Sequence, residues 1–259
     1  MKIDVLTIFP DFFNDFKNTS INKRAIEKGC LEFNTIDIRD FTSDKHRRID
    51  DRPVGGGNGL IMKVEPIVKA IRSVKKDNSK VIYMSPRGNK LDQQKVRSLS
   101  LEDHLIILCG HYEGVDERVL DYVDEQISIG DYILSGGEVA ATVVSDAVIR
   151  LLDGAIKEES HLDESFENGL LEYPQFTIPK TFENKEIPEI LYSGNHQAIN
   201  KWRKKESLRI TLKYRKDLFD KYTLTKEDKE LVEEIKEGKI GMWEKKAIAN
   251  NSLNDKGSS

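Results

Sequence analysis

Apolar positions alternate between two periods along the first two-thirds of this chain. Ile3 to Phe9 is apolar and β-branched and stops at Pro10, which reads as a strand. Asp11 opens a short helical stretch with Phe12, Phe13 and Phe16 toward one side. Leu31 to Ile38 alternates apolar and polar residues, the pattern of a half-buried strand. Pro66 suits the first turn of a helix carrying Ile67, Val68, Ala70 and Ile71. Lys80 to Met84 predicts a strand, and Leu105 to Cys109 predicts a buried one. Glu138 to Leu152 predicts an amphipathic helix with Val139, Thr142, Val143, Ala147, Val148, Leu151 and Leu152 inside. Strands alternating with helices imply an α/β fold on a parallel sheet.

The character changes after Leu152. Asp153 to Glu172 is polar and mixed, and residues 173–197 carry Pro174, Pro179 and Pro188 with little periodicity. From Gln197 onward the pattern is helical. The expected organisation is an α/β domain over 1–160, a linker over 161–175, a small helical domain over 176–246 and a disordered tail over 247–259.

Composition narrows the classes. With 259 residues, 38% hydrophobic, the chain can bury roughly 75% of its unfolded surface. No apolar run approaches the ~18 residues of a membrane span. The start, MKIDVLTIFP, lacks the apolar core and cleavage site of a signal peptide, so a cytoplasmic protein is expected. Cys30 and Cys109 cannot form a disulfide framework and read as small core residues in a reducing compartment. Net charge is −4, but it is segregated: residues 161–200 carry −5, residues 201–216 carry +7 and residues 217–259 carry −2. A basic block in an acidic chain is either a solvated helix face or an anion-binding surface.

Ten of the 17 glycines fall between residues 55 and 137. Gly55-Gly56-Gly57-Asn58-Gly59 must be a loop. Three further glycine-bearing loops follow strands: Ser85-Pro86-Arg87-Gly88, Gly110-His111-Tyr112-Glu113-Gly114 and Ser135-Gly136-Gly137. Ligands of parallel sheets bind beyond the carboxyl ends of the strands, so three such loops can build a nucleotide-sized pocket. No G-x-G-x-x-G follows the first strand and no P-loop is present, which disfavours a Rossmann dehydrogenase or P-loop kinase.

Three other groupings could carry chemistry. His46-Arg47-Arg48 leads into the glycine tract and suits phosphate contact or a solvated turn. Lys201-Trp202-Arg203-Lys204-Lys205, with Arg209, Lys213, Arg215 and Lys216, interleaves an aromatic with bases as RNA-contacting surfaces do, while Trp202 would serve equally as a core anchor. Asp163-Glu164-Ser165-Phe166 and Arg150 supply carboxylates and a guanidinium for a general base or an ion pair. The histidines at 46, 104, 111, 161 and 196 show no metal-ligand spacing, so no zinc site is predicted.

Together these segments resemble the bacterial tRNA (guanine-N1)-methyltransferases of the SPOUT superfamily. The match runs from Met1 to about residue 240. It rests on Ile8-Phe9-Pro10, Arg39-Asp40-Phe41, His46 through Gly59, Ser85 to Gly88, Cys109 to Arg118, Ser128 to Glu138, Leu191 to His196 and Trp202-Arg203. The resemblance implies a SPOUT domain with a deep trefoil knot and a small helical C-terminal domain that grips RNA. It implies a homodimer, S-adenosylmethionine as methyl donor and N1 of guanosine 37 of tRNA as acceptor. Mg²⁺ assistance is a further family expectation.

By that resemblance, the backbone of Ile129, Gly130, Asp131, Tyr132, Ile133 and Leu134, with Gly110, holds the adenine and ribose. Tyr83, Ser85, Pro86, Tyr112, Glu113, Gly114, Gly136 and Gly137 line the same pocket. Arg47, Arg48, Gly59, Trp202, Arg203, Lys204, Arg209 and Arg215 meet the RNA. Arg150 offsets charge developing on guanine O6, and a carboxylate removes the N1 proton. The family places that carboxylate in an Asp-Ser-Phe motif, whereas this chain reads Asp163-Glu164-Ser165-Phe166. An ungapped match puts Glu164 at the base position, with Asp163 as the alternative. The family often has proline after Gly137-Glu138, where this chain has Val139-Ala140, read as a packing change. The competing expectation is an RNA-binding protein on the same scaffold with impaired catalysis.

Overall fold

A computed structural model describes residues 1–155, 165–166 and 169–254. Asp163, Glu164, four further residues of the expected linker (161, 162, 167 and 168) and residues 255–259 lie outside the described residues. The chain divides into two compact units, Met1–Glu159 and Ser160–Ser259.

In the first unit the elements run β1 (Lys2–Thr7), α1 (Asn14–Asn18), α2 (Ser20–Glu27), β2 (Glu32–Asp37), β3 (Asp50–Asp51), β4 (Ile61–Met62) and α3 (Val64–Val74). They continue with β5 (Ser79–Lys90), α4 (Gln93–Ser100), β6 (His104–Cys109), β7 (Glu125–Ser128) and α5 (Glu138–Ile149). Five strands form one sheet in the order β2-β1-β6-β5-β7, and every neighbouring pair is parallel. The mixed α/β architecture on a parallel sheet matches the alternation of periods in the sequence.

Why β6 sits centrally is a matter of composition. All six of its residues are buried, and a strand covered on both faces reads as a continuous apolar run. Its side chains alternate between two cores. Leu105, Ile107 and Cys109 join Ile3, Val5, Ile82 and Met84 on the face covered by α5. Ile106 and Leu108 join Leu6, Val81 and Tyr83 on the face covered by Ile67, Ala70 and Ile71 of α3.

Several boundaries differ from the sequence reading. The opening strand ends at Thr7, and Phe12 is exposed while Phe13 is buried, because a 3₁₀ turn over Pro10–Phe13 precedes α1. Cys30 is only partly buried, whereas Cys109 is fully buried. The stretch Ser85 to Gly88 is not a loop after a strand. It lies inside β5, where pairing with β7 is irregular between Met84 and Asn89. The central residues bulge out of the ladder, a position that tolerates Pro86.

Helix α5 is turned relative to the expected face. Ala140, Ala141, Val144 and Val148 are buried, whereas Val139 is 47% and Val143 42% exposed. Small residues let the helix lie close to the sheet, and a helix apolar all round leaves its inward face to packing. Its first residue, Glu138, is a buried carboxylate. The Thr7 hydroxyl donates to Glu138 Oε1 at 2.8 Å and accepts from the Phe9 amide at 2.9 Å. The carboxylate also lies at the positive end of the helix dipole. One side chain therefore ties the end of β1 to the start of α5.

The second unit, considered alone, contains β8 (Thr181–Phe182), β9 (Lys185–Glu186), α6 (His196–Tyr214), α7 (Lys216–Phe219), α8 (Lys226–Glu237) and α9 (Met242–Asn254). Helix α9 continues through residues 247–254, where the sequence suggests a disordered tail. Lys205 joins three helices: its ammonium donates to Glu234 at 2.7 Å and lies 3.8 Å from Glu244. Trp243 Nε1 donates to the same Glu234 carboxylate. Thr225 and Asp228 form a reciprocal capping box on α8, and Gly238 closes it in the left-handed region.

Thr7→Val leaves the Glu138 oxygen without its donor, so stability should fall by about 1–3 kcal/mol in urea melts. Glu244 has a carboxyl raised above its usual 4.5, chiefly by burial, against the opposing Lys205 charge. The folded state thus holds that proton more tightly than the unfolded chain. Its contribution is fullest below pH 4.5 and is lost as pH rises through the folded pKa. Glu244→Gln should flatten that decline in thermal melts between acidic and neutral pH.

Candidate active site

Three chain segments meet at the carboxyl ends of the parallel strands. The β5 bulge contributes Met84, Ser85 and Pro86. The segment after β7 contributes Ile129, Gly130, Tyr132, Ile133 and Leu134. Gly136, Gly137 and Ala140 close the third side. The cavity encloses about 100 Å³, and about 480 Å³ with its open mouth.

Glycine is required where these segments touch. A Cβ on Gly137 would lie 2.8 Å from Cys109 Cα and 3.0 Å from the Gly110 nitrogen. The Gly137 amide donates to the Gly110 carbonyl at 2.8 Å, and His111 bridges Gly136. A Cβ on Gly88 would come within 2.4 Å of the Gln126 carbonyl carbon. Both approaches are backbone on backbone, so a side chain cannot rotate away. Ser128 Oγ accepts from the Gly130 amide and shapes the turn that follows β7.

The predicted cofactor residues therefore divide. Ser85, Pro86, Ile129, Gly130, Tyr132, Ile133, Leu134, Gly136 and Gly137 line the cavity. Tyr83, Gly110, Tyr112, Glu113, Gly114 and Asp131 do not. Tyr83 points into the opposite core, where burial raises its hydroxyl pKa, and its ring packs where a Gly110 Cβ would sit. Tyr112 is exposed, in the left-handed region at φ +57°, and edge-on to His111. Glu113 packs against Gly59, and Asp131 pairs with Lys90. Met84, Ile127, Ser128 and Ala140 line the cavity as well, beyond the residues to which the sequence points. Their signal was strand alternation and one small residue in the first turn of a helix. Cys109, beneath Gly137, has its thiol pKa raised well above the usual value by burial and then by Glu138.

Arg150 caps the C-terminal end of α5. Asp163 and Glu164, the candidate bases, lie outside the described residues. The predicted RNA-binding residues are mostly paired. Arg47 bonds Asp40, and Arg48 holds the Asp44 carboxyl well below its usual range. Arg209 pairs with Glu206, Arg215 with Asp217, and Lys204 with Asp228 and the Tyr222 hydroxyl. Trp202 is buried against Ile190 and Ala247, which makes it a core anchor. Among the described residues, no group of three or more His, Cys, Asp or Glu could hold a metal, and no helix is long and apolar enough to cross a membrane.

Residues 1–221 match the family model described as tRNA (Guanine-1)-methyltransferase TrmD. The chain belongs to this family. It is 54% identical over 237 residues to the tRNA (guanine-N(1)-)-methyltransferase of Clostridium botulinum strain Langeland, covering 91% of this chain and 98% of that relative. Relatives of the same name in Clostridium tetani and Clostridium acetobutylicum are 53% and 52% identical. They cover 89% and 90% of this chain and 97% and 96% of their own lengths.

The close backbone approach generates a prediction. Gly137→Ala must push the third segment off Cys109 and Gly110, so affinity for the methyl donor should fall at least about tenfold by calorimetry. Gly55→Ala is strained by its φ of +91° but lies outside the cavity lining, so it should leave that affinity within about twofold.

Proposed function

We propose that this protein is a methyltransferase that transfers a methyl group from S-adenosylmethionine to N1 of guanosine 37 in tRNA. The carrying observation is the glycine-lined cavity at the carboxyl ends of a parallel sheet, in a chain that belongs to this methyltransferase family. The fit to the donor is chemical. Met84, Ile129, Ile133, Leu134 and Ala140 offer an apolar wall for an adenine, and glycines 130, 136 and 137 let backbone groups approach a ribose and a charged tail. When bound, S-adenosylmethionine supplies a methyl already activated by its sulfonium.

This chain's residues do the rest. Guanine N1 carries a proton at neutral pH, so a base must remove it. Glu164, or its neighbour Asp163, fills that role, and Arg150 opposes the charge that develops on O6. Rate comes mainly from alignment of acceptor and donor, which the glycine contacts around Gly137 preserve.

We assign residues 1–160 to a knotted SPOUT domain on the family membership and the parallel sheet. After β7 at the sheet edge, the chain returns past Gly110 and His111 into α5, which packs against β1 and β6. We assign 161–175 as linker and 176–246 as the helical RNA-gripping domain. Exposed Val139 and Val143, one turn apart, support a homodimer built on that face of α5. Free thiols suit a cytoplasmic location.

The test is transfer of labelled methyl to unmodified tRNA carrying G37, beside A37 tRNA. Turnover on G37 alone is expected. Arg150→Ala should lower kcat by about 10²–10³-fold. One of Glu164→Ala and Asp163→Ala should lose about 10²–10⁴-fold and thereby name the base. tRNA bound without turnover by the wild type would overturn the reading and leave an RNA-binding protein.

A further inference from the structure

We propose that the second unit holds a nucleotide pocket of its own. The site is a cleft at the start of α6 that takes one unstacked nucleotide of the substrate RNA, its base against Phe176 and its phosphate on Arg203. The proposal rests on the tRNA reading above and adds where, and how, a nucleotide is held away from the reacting guanosine.

The cleft encloses about 260 Å³ and is lined by Tyr173, Phe176, Leu191, His196, Trp202 and Arg203 among others. An apolar cavity of roughly 150 Å³ admits a benzene ring, so a planar base has room here. The walls are aromatic and already ordered. Phe176 is 46% exposed and sits 6.3 Å from the buried Trp202 ring. The Arg203 guanidinium stacks 4.9 Å over Tyr173, which fixes its plane.

Charge singles out the same residue. Arg47, Arg48, Lys204, Arg209 and Arg215 each face a carboxylate within 4 Å. Arg203 makes no ion pair among the described residues. Its Nε is buried without a hydrogen-bond partner, and its one bond is a long 3.4 Å contact to Asn200. A buried guanidinium N–H without an acceptor is costly unless an acceptor arrives. An incoming phosphate supplies one, with the planar geometry that Arg favours. Glu172, next to Tyr173 in the chain, accepts a 2.6 Å hydrogen bond from the Gln175 amide. An aromatic face beside a fixed guanidinium is how proteins hold splayed-out bases of single-stranded RNA.

The test uses the full chain and unmodified tRNA. Phe176→Ala changes an exposed side chain, and a thermal melt checks that it folds. It should raise the tRNA Kd, and the KM for tRNA in methyl transfer, by about five- to a hundredfold. Arg203→Gln should reduce the slope of log Kd against log salt by about one, while Arg203→Lys should keep that slope yet lose affinity. The deciding arm scans single abasic nucleotides through the tRNA. One position should weaken wild-type binding and add nothing in Phe176→Ala, the mark of a shared contact. If wild type methylates tRNA and abasic losses add to the Phe176→Ala loss at every position, the pocket is overturned and the methyltransferase reading stands. If wild type neither binds nor methylates tRNA, that reading falls and takes the pocket with it.

Discussion

The first unit depends on two places where backbone meets backbone with no room for a side chain. At one, Gly137 lies on Cys109 and Gly110; at the other, Gly88 lies on Gln126. The first contact sets where α5 begins. Once Gly137 is seated, the next residue, Glu138, is carried into the interior and needs the Thr7 hydroxyl. The next turn must be small, which Ala140 and Ala141 provide. The second contact lets the β5 bulge lie against β7 without losing the sheet. The cavity walls are consequences of these two approaches: Ser85 and Pro86 come from the bulge, Gly136 and Gly137 from the helix entry. Glycine is costly in chain entropy, and that cost is tolerable here because any Cβ would separate the segments.

How much of this was legible in the sequence depended on which physical term decided it. The central strand β6 was legible because a five-residue apolar run has few other homes. The Gly136-Gly137 turn is legible because successive glycines after a strand signal close approach, whereas Ile129 to Leu134 enter only through the family resemblance. The inward face of α5 was not. Val139 and Val143 are the more apolar choices, yet Ala140 and Ala141 lie inside, since helix-to-sheet distance outweighed side-chain size. Periodicity reports amphipathicity and is nearly silent for a helix apolar on most sides. The placement of Tyr83 was illegible for a related reason. Strand alternation sends Met84 and Tyr83 to opposite faces, and the one-residue difference moves Tyr83 from the cavity to the core beneath it. Trp202 illustrates the limit of motif reading: an aromatic among bases resembles an RNA platform, but burial makes it the anchor on which Phe176 leans.

Electrostatics separates two kinds of basic residue that look alike in the sequence. Arg47, Arg48, Arg209 and Arg215 are exposed or half-exposed and already paired with carboxylates. Exposed pairs of this kind are worth little, so exchanging a carboxylate for a phosphate is nearly balanced. Such contacts hold RNA diffusely, weaken with salt and carry no register. Arg203 differs in three linked respects: a stacked plane, a buried donor without an acceptor, and an aromatic cleft beside it. A fixed donor that lacks a partner gains from one geometry and not from others. A methyl transfer that depends on alignment at a single ring nitrogen needs that kind of positional constraint on the RNA more than it needs additional positive charge.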